Sequence, residues 1–255
     1  MATKKTEVAI SEANPFAVVA PEHINLNSNR GSQDVGMEDI ALPRISIIQD
    51  LSPQHKKNKP EYIEGAEPGM IFNSVTSELY GDKLFVVPVY YAKEWLIWKD
   101  QDKGGGFRGS FDTELEAARE RDTFDDANDL EVVDTAQHYV LLVFPQPDGS
   151  FHTQEAVISM AKSQMKVNRK WNSAIRMAGG DRFSRVHTLT VVEDSNSAGQ
   201  EYYNWKVTTA GFCPADVFKA AESMYESVNK GKRKIVHDSA PAPDEEVEDT
   251  EEAEM

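Results

Sequence analysis

Residues 84–99 decide the fold, and they read Leu84-Phe-Val-Val-Pro-Val-Tyr-Tyr-Ala-Lys-Glu-Trp-Leu-Ile-Trp-Lys99. This run is rich in β-branched and aromatic residues, a composition typical of a β-strand. Side chains alternate between the two faces of a strand. One face therefore carries the following residues: Tyr91, Lys93, Trp95, Ile97 and Lys99. The run predicts a long strand on which rings and cations alternate along one side.

That face offers the two kinds of contact that a single nucleic-acid strand requires. Bases stack on aromatic rings, and cations follow the phosphates, with little dependence on base sequence. Tyr91, Lys93, Trp95 and Lys99 are therefore candidate nucleic-acid-binding residues. The alternative interpretation places the two rings in the core, with the lysine stems extending along them to water.

Other segments predict a mainly β fold around this strand. Extended segments are expected at 40–49, 69–76, 137–144, 151–160, 186–192 and 202–210. Helices are expected at 113–121, where Thr113 and Glu116 form a capping-box pattern, at 162–178 and at 215–229. The element order matches an OB-fold, a five-stranded partly open barrel with an inserted helix. A β-sandwich is the competing fold.

The totals of the chain favour one large domain with appendages. The chain has 255 residues, of which 40% are hydrophobic, enough for a sizeable core. We predict a flexible N-terminal arm at 1–37, a binding domain at 38–236 and a disordered acidic tail at 237–255. One cysteine excludes a disulfide within the chain and suits a reducing compartment. With no apolar run of membrane-spanning length, we expect a soluble, cytoplasmic protein without a membrane partner.

The net charge of −16 is unevenly distributed. Residues 238–255 hold nine acidic and no basic residues, and residues 110–134 hold ten acidic and two basic residues. Residues 160–190 hold seven basic residues and one acidic residue. Because the acidity is confined to two blocks, it does not argue against a nucleic-acid partner. The block at 110–134 is interpreted as an acidic insertion in the binding domain.

A glycine-rich segment, Lys103-Gly-Gly-Gly-Phe-Arg-Gly109, follows the long strand. It contains the spacing G-x-G-x-x-G, but two aspartates separate the strand from the glycines and the next predicted helix is acidic. Both features disfavour a dinucleotide-binding turn. A flexible loop tip in which Lys103, Phe107 and Arg108 contact nucleic acid fits better. A disordered hairpin tip without a binding role is the alternative.

The predicted helix 162–178 separates cations from apolar side chains at 100° per residue. Its cationic stripe consists of Lys162, Lys166, Arg169 and Arg176. Trp171 falls on the opposite side and is expected in the core. Such a stripe is often only a solvated helix face. The absence of any acidic residue between 162 and 180 nevertheless keeps a phosphate-binding role open.

The predicted strand 202–210 adds two further candidates. Tyr203, Trp205, Val207 and Thr209 share one face, which we expect to point to the core. Tyr202 and Lys206 lie on the other face and extend the same candidate groove.

The sequence contains no recognisable catalytic constellation. The six histidines lack metal-ligand spacing, and neither a nucleophile elbow nor a P-loop is present. Cys213 has no basic neighbour that would activate it. We therefore expect no catalytic residue, no metal and no cofactor, and an enzyme is the weakest interpretation.

The layout as a whole resembles the single-stranded DNA-binding proteins of tailed bacteriophages. A β-rich core bearing aromatic residues and lysines precedes a Pro-containing spacer, and the chain ends in an acidic peptide. The tail residues in question are Asp244, Glu245, Glu246, Glu248, Asp249, Glu251, Glu252, Glu254 and Met255. Such tails commonly end in an aromatic residue, and here Met255 stands in its place. The acidic block 110–134 has no counterpart in this layout.

The resemblance implies an OB-fold core that coats exposed single-stranded DNA in the host cytoplasm. It also implies a tail that recruits replication or recombination proteins such as a polymerase, helicase or nuclease, and a homo-oligomer is compatible with it. A flexible polyanion can also occupy the cationic groove of its own chain at high effective concentration. We therefore expect removal of residues 238–255 to raise the affinity for oligonucleotides at low salt.

Two other functions remain open from the sequence. The acidic blocks could make the protein a DNA mimic that inhibits a DNA-binding enzyme, although the aromatic and lysine-bearing face would then have no role. A recombinational annealing protein or a transcription accessory protein would share the DNA-binding features and differ in strand-annealing activity.

Overall fold

The structure, a computed structural model, describes residues 30–33, 41–99, 103–196 and 199–230. The predicted acidic tail and most of the predicted N-terminal arm lie outside these ranges. The chain divides into two units, residues 1–40 and 41–255. All elements described below belong to the second unit.

Strands dominate the described residues. The strands are β1 (Ile45–Ile47), β2 (Ile71–Asn73), β3 (Leu79–Gly81), β4 (Lys83–Lys99), β5 (Phe107–Phe111), β6 (Leu130–Pro145), β7 (Phe151–Ala161), β8 (Arg185–Ser195) and β9 (Glu201–Phe212). The helices are α1 (Glu114–Arg121), α2 (Met165–Ala178) and α3 (Ala215–Asn229). The predicted class, mainly β with helices, is confirmed.

Two antiparallel sheets organise these strands. The smaller sheet has the order β1-β2-β3, and the larger has the order β7-β6-β4-β8-β9, with β5 beside β4. The long strand β4 joins the two halves of the larger sheet, because residues 83–86 pair with β8 and residues 86–99 pair with β6. Among the described residues no pairing joins β7 to β9, so this sheet does not close into a barrel.

The segment 43–49 contacts both β7 and β9, the two end strands of the larger sheet. The carbonyl oxygen of Pro43 accepts a hydrogen bond of 2.9 Å from the backbone N–H of Val157 on β7. On β9, the Gln49 side chain donates to the Tyr203 carbonyl at 2.8 Å and accepts from the Tyr203 N–H at 2.9 Å. The segment thus fills the gap between β7 and β9.

An irregularity in β4 accommodates a proline in a central strand. Pro88 has no N–H to donate, and the β4–β6 register shifts between Pro88 and Tyr90. A bulge interrupts the ladder where a donor is missing and bends the strand.

A helix covers each face of the larger sheet. On one face, α2 inserts Trp171, 1% exposed, among buried residues of β4, β6 and β7. On the other face, α3 packs Val217, Ala221 and Met224 against β4, β6 and β7. None of the helices in the described part of the chain is long and apolar enough to cross a membrane.

Candidate nucleic-acid interface

The candidates on β4 are engaged by other parts of the same chain. Tyr91 packs against the core, with its ring 5.3 Å from that of His138. Trp95 packs beside α1, with the Lys93 ammonium 4.9 Å from its ring. Lys93 also forms an ion pair of 3.0 Å with Asp134. The alternating row therefore exists, but its rings and cations already have partners.

The acidic block at 110–134 supplies most of these partners. Asp126 accepts from Lys99 at 2.6 Å and from Arg108 at 3.3 Å, and Glu131 pairs with Lys162 at 3.0 Å. The hydrogen bond from Lys99 and the nearby charges hold the pKa of Asp126 below its usual value. In the folded chain, carboxylates of the block thus neutralise four candidate cations that lie outside it: Lys93, Lys99, Arg108 and Lys162.

The predicted flexible loop tip is partly wrong. Phe107 and Arg108 are the first residues of β5, which pairs with β4. The Lys99 N–H donates a hydrogen bond of 2.9 Å to the Gly106 carbonyl and closes the hairpin between the two strands. The Phe107 ring packs on Trp98 at 5.4 Å. Lys103 is exposed at the turn. Of the three loop candidates, Lys103 and Arg108 are exposed as expected, whereas Phe107 is half-buried.

The predicted helix 162–178 begins later than expected. Residues Lys162–Gln164 form a 3-10 turn, and α2 starts at Met165. Lys162 has a φ of 48°, which costs an L-residue about 1–2 kcal/mol. Its ion pair with Glu131 holds it beside β6, so Lys162 does not extend the stripe along α2. Trp171 lies in the core, as predicted.

The remaining α2 cations are exposed. Lys166, Arg169 and Arg176 make no ion pair among the described residues, and neither does Lys170 on the same helix. Sequence reasoning counted Lys170 in the basic block but omitted it as a candidate. Its position four residues after Lys166, one turn along the helix, is the signal that identifies it.

A groove between α2 and β9 brings cations from both elements together. Its volume is about 400 Å³. We call it the α2–β9 groove, and its lining includes Lys166, Lys170, Trp171, Asn204, Trp205 and Lys206. Trp171 and Trp205 are buried, so the rings support the groove while the lysines lie at the surface. Tyr202, another candidate, is half-buried and does not line the groove.

A buried polar network fixes α2 on the sheet. The Nε2–H of His138 on β6 donates to Asn168 Oδ1 at 3.0 Å, and its Nδ1 accepts from Arg182 at 3.0 Å. Because a guanidinium can only donate, this contact assigns the proton to Nε2. The imidazole also stacks on Trp171 at 4.4 Å. Asn168 and Trp171 both belong to α2, so the network sets the position of the cationic helix.

This network predicts a loss of stability in acid. Burial, reinforced by the charge of Arg182, lowers the pKa of His138 from 6.5 to about 3. Below about pH 6.5 the unfolded chain binds a proton that the folded chain does not, until the pH reaches about 3. The free energy of unfolding should therefore fall by up to about 1.4 kcal/mol for each pH unit across this window. Denaturant unfolding between pH 7.5 and about pH 5 measures the slope.

The matched variants are His138→Gln and His152→Gln, the second at an exposed position. His138→Gln should be less stable at neutral pH and lose less stability on acidification. If the free energy of unfolding of His138→Gln falls with decreasing pH as steeply as that of wild type, His138 is not the group that causes the loss of stability in acid. His187, whose pKa burial lowers to about 4, contributes a remaining slope of the same sign.

The described residues provide neither a cluster of metal ligands nor an activated thiol. Among them, no group of three or more His, Cys, Asp or Glu side chains could hold a metal ion. Burial, together with the charge of Asp216, raises the pKa of Cys213 to about 11. A thiol with such a pKa stays protonated at neutral pH and is a poor nucleophile.

Comparison with known proteins gives a match at the family level. The model of a family described as "Pam3 phage gp34-like protein" matches residues 11–234 of the chain. No curated protein and no solved structure matches the chain. The matched range includes all the strands and helices above and the whole α2–β9 groove.

Proposed function

We propose that this chain, which belongs to the Pam3 phage gp34-like protein family, binds single-stranded DNA in phage DNA replication, recombination or repair. The observation that carries this proposal is the α2–β9 groove, whose lining holds three lysines, Lys166, Lys170 and Lys206, against one carboxylate, Asp194. The three lysines make no ion pair among the described residues. Three unpaired cations along one recess attract a chain of phosphates. Arg169 and Arg176 extend the positive surface along the same helix.

The shape of the surface favours a single strand over a duplex. Proteins that read duplex DNA place a projecting helix or ribbon in the major groove. Here the cations line a recess between a helix and an edge strand. A single strand can enter such a recess because it is narrow and flexible.

The connectivity also supports an OB-type domain. Apart from β5 and α1, which lie between β4 and β6, the chain order is β4, β6, β7, α2, β8 and β9, so a helix separates the third strand from the fourth. The sheet stays partly open. OB-folds bind oligonucleotides on the face of their second and third strands, here β6 and β7. In this chain α3 packs on one face of those strands. We therefore place the DNA on the α2–β9 groove.

The acidic block argues against the DNA-mimic alternative. A mimic presents its carboxylates to a partner, whereas Asp126, Glu131 and Asp134 pair with cations of the same chain. The acidic tail at 237–255 keeps its proposed role of recruiting replication or recombination proteins and competing for the groove. Catalysis forms no part of the proposal.

Salt dependence of oligonucleotide binding tests this function. With three to five cations on phosphates, the logarithm of the affinity should fall with the logarithm of salt concentration at a slope of about −2 to −3.5. Quenching of tryptophan fluorescence and anisotropy of a labelled single strand both measure the affinity. Duplex DNA of the same length is the control and should bind more weakly. Absence of binding at low salt, or an affinity independent of salt, would reject the proposal.

A further inference from the structure

A second cavity lies next to the α2–β9 groove, between residues 44–54 and the ends of β4, β6 and β7. Its volume is about 140 Å³. Trp205 lines both the cavity and the groove, and the turn Lys162–Gln164 on the cavity leads directly into Lys166 on the groove. A ligand chain lying in the groove would therefore pass the mouth of the cavity.

Neutral polar side chains line part of the cavity. Gln54 is 7% exposed and contributes its side-chain amide to the lining. The Oγ of Ser163 is buried without a hydrogen-bond partner in the described part of the chain. Leaving a buried polar group unpaired is unfavourable, and a native protein tends to satisfy it with a ligand or water. Both groups are neutral and can donate as well as accept hydrogen bonds.

The lining of the cavity combines polar side chains with aromatic and apolar ones. Phe72, Trp98 and Trp205 are almost fully buried, and Leu51 stands at the surface with 70% of its area exposed. Two cations line the cavity, and both are engaged within the chain: Lys162 is paired with Glu131, and Arg44 is 8% exposed and has partners of its own. A phosphate would require free cations, whereas a flat heterocycle suits aromatic walls and neutral amide and hydroxyl groups.

We propose that this cavity holds one nucleobase of the strand bound in the α2–β9 groove. The inference rests on the proposed function and adds a base subsite to it. A cavity of about 150 Å³ in another protein accommodates one benzene ring, so a volume of 140 Å³ fits one six-membered ring. The expected occupant is a pyrimidine, whose edge the Gln54 amide and the Ser163 hydroxyl can hydrogen-bond.

The test compares oligothymidylate with an abasic strand of the same length. Wild-type protein should bind oligothymidylate at least about fivefold more tightly. Gln54→Leu keeps the bulk of the side chain but removes the amide, and Ser163→Phe fills the cavity. Both variants should reduce this ratio towards one while leaving the affinity for the abasic strand unchanged. The control Gln146→Leu changes an exposed glutamine in the turn between β6 and β7 and should keep the wild-type ratio.

The possible outcomes distinguish failure of the base subsite from failure of the proposed DNA binding. If wild-type protein binds both strands equally, or if both cavity variants keep the wild-type ratio, the subsite is refuted and DNA binding stands. If wild-type protein binds neither strand, the proposed function fails and the subsite fails with it. Circular dichroism of each variant confirms that folding is retained, and two variants of different kinds protect the test against misfolding of either one.

Discussion

The triple variant Lys166→Ala, Lys170→Ala, Lys206→Ala should bind single-stranded DNA about a hundredfold more weakly than wild type at roughly 0.1 M salt. Each lysine that neutralises a phosphate contributes about 0.7 to the slope of log affinity against log salt. Losing three such contacts should therefore reduce the magnitude of the slope by about 2. The α2–β9 groove predicts this because all three lysines line it. Titrations across a range of salt concentrations measure both quantities.

A charge-matched control distinguishes binding at the α2–β9 groove from general electrostatic attraction to the protein surface. Lys57→Ala, Lys59→Ala and Lys219→Ala together remove the same three charges from exposed positions outside the groove. This variant should retain nearly the wild-type affinity and salt slope. If both triple variants lose the same affinity, binding is spread over the surface and the groove is not the site.

The ion-paired lysines give an internal comparison. The Lys99 Nζ lies 2.6 Å from the Asp126 Oδ2, and the Lys93 Nζ lies 3.0 Å from the Asp134 Oδ2. A phosphate would have to displace these carboxylates, so each lysine should contribute less to binding than a lysine of the groove. The binding roles assigned to Lys93, Lys99, Arg108 and Lys162 from the sequence stay predictions, and their ion pairs place them second to the groove.

Trp171→Ala should lower the free energy of unfolding by about 3–5 kcal/mol. Trp171 is 1% exposed, stacks on His138 and lies edge-on to the ring of His187 at 5.8 Å. Its removal leaves a cavity between α2 and the sheet, which the surrounding strands cannot fill. Domains of this size are stable by about 5–15 kcal/mol, so the loss is a large fraction of the total. Denaturant unfolding at neutral pH measures it.

Met177→Ala on the same helix is the matched control. Met177 is 88% exposed, so its replacement should change stability by no more than about 0.5 kcal/mol. A loss below about 1 kcal/mol in Trp171→Ala would mean that α2 does not depend on its contact with the sheet. The position of the groove lysines would then need another explanation.

Local patterns in the sequence were enough to locate most elements. The capping box at Thr113 and Glu116 correctly predicted the start of α1, and the bounds of α3 were predicted as observed. The pattern of 84–99 predicted β4 to within one residue. Strands β3 and β5 were missed because each is short and rich in glycine or polar residues. Strand β6 was found only in its apolar second half.

The candidate site was harder to predict because partners came from distant parts of the chain. Asp126 lies 27 residues after Lys99, and no local pattern indicates that the two meet. The acidic block could be recognised by composition, but its pairing with cations of β4 and β5 required the fold. The same holds for the α2–β9 groove, whose lysines come from elements separated by β8. The helix pattern did place Trp171 in the core correctly, because that inference needed only the period of one helix.

The segment that fills the gap between β7 and β9 has a consequence for synthesis on the ribosome. Gln49 is translated well before Tyr203, yet both hydrogen bonds of its side chain go to Tyr203, 154 residues later in the chain. Domains fold as their chain emerges from the amino terminus, and closing so long a loop is slow. The segment 43–49 is therefore translated long before it can reach its place beside β9.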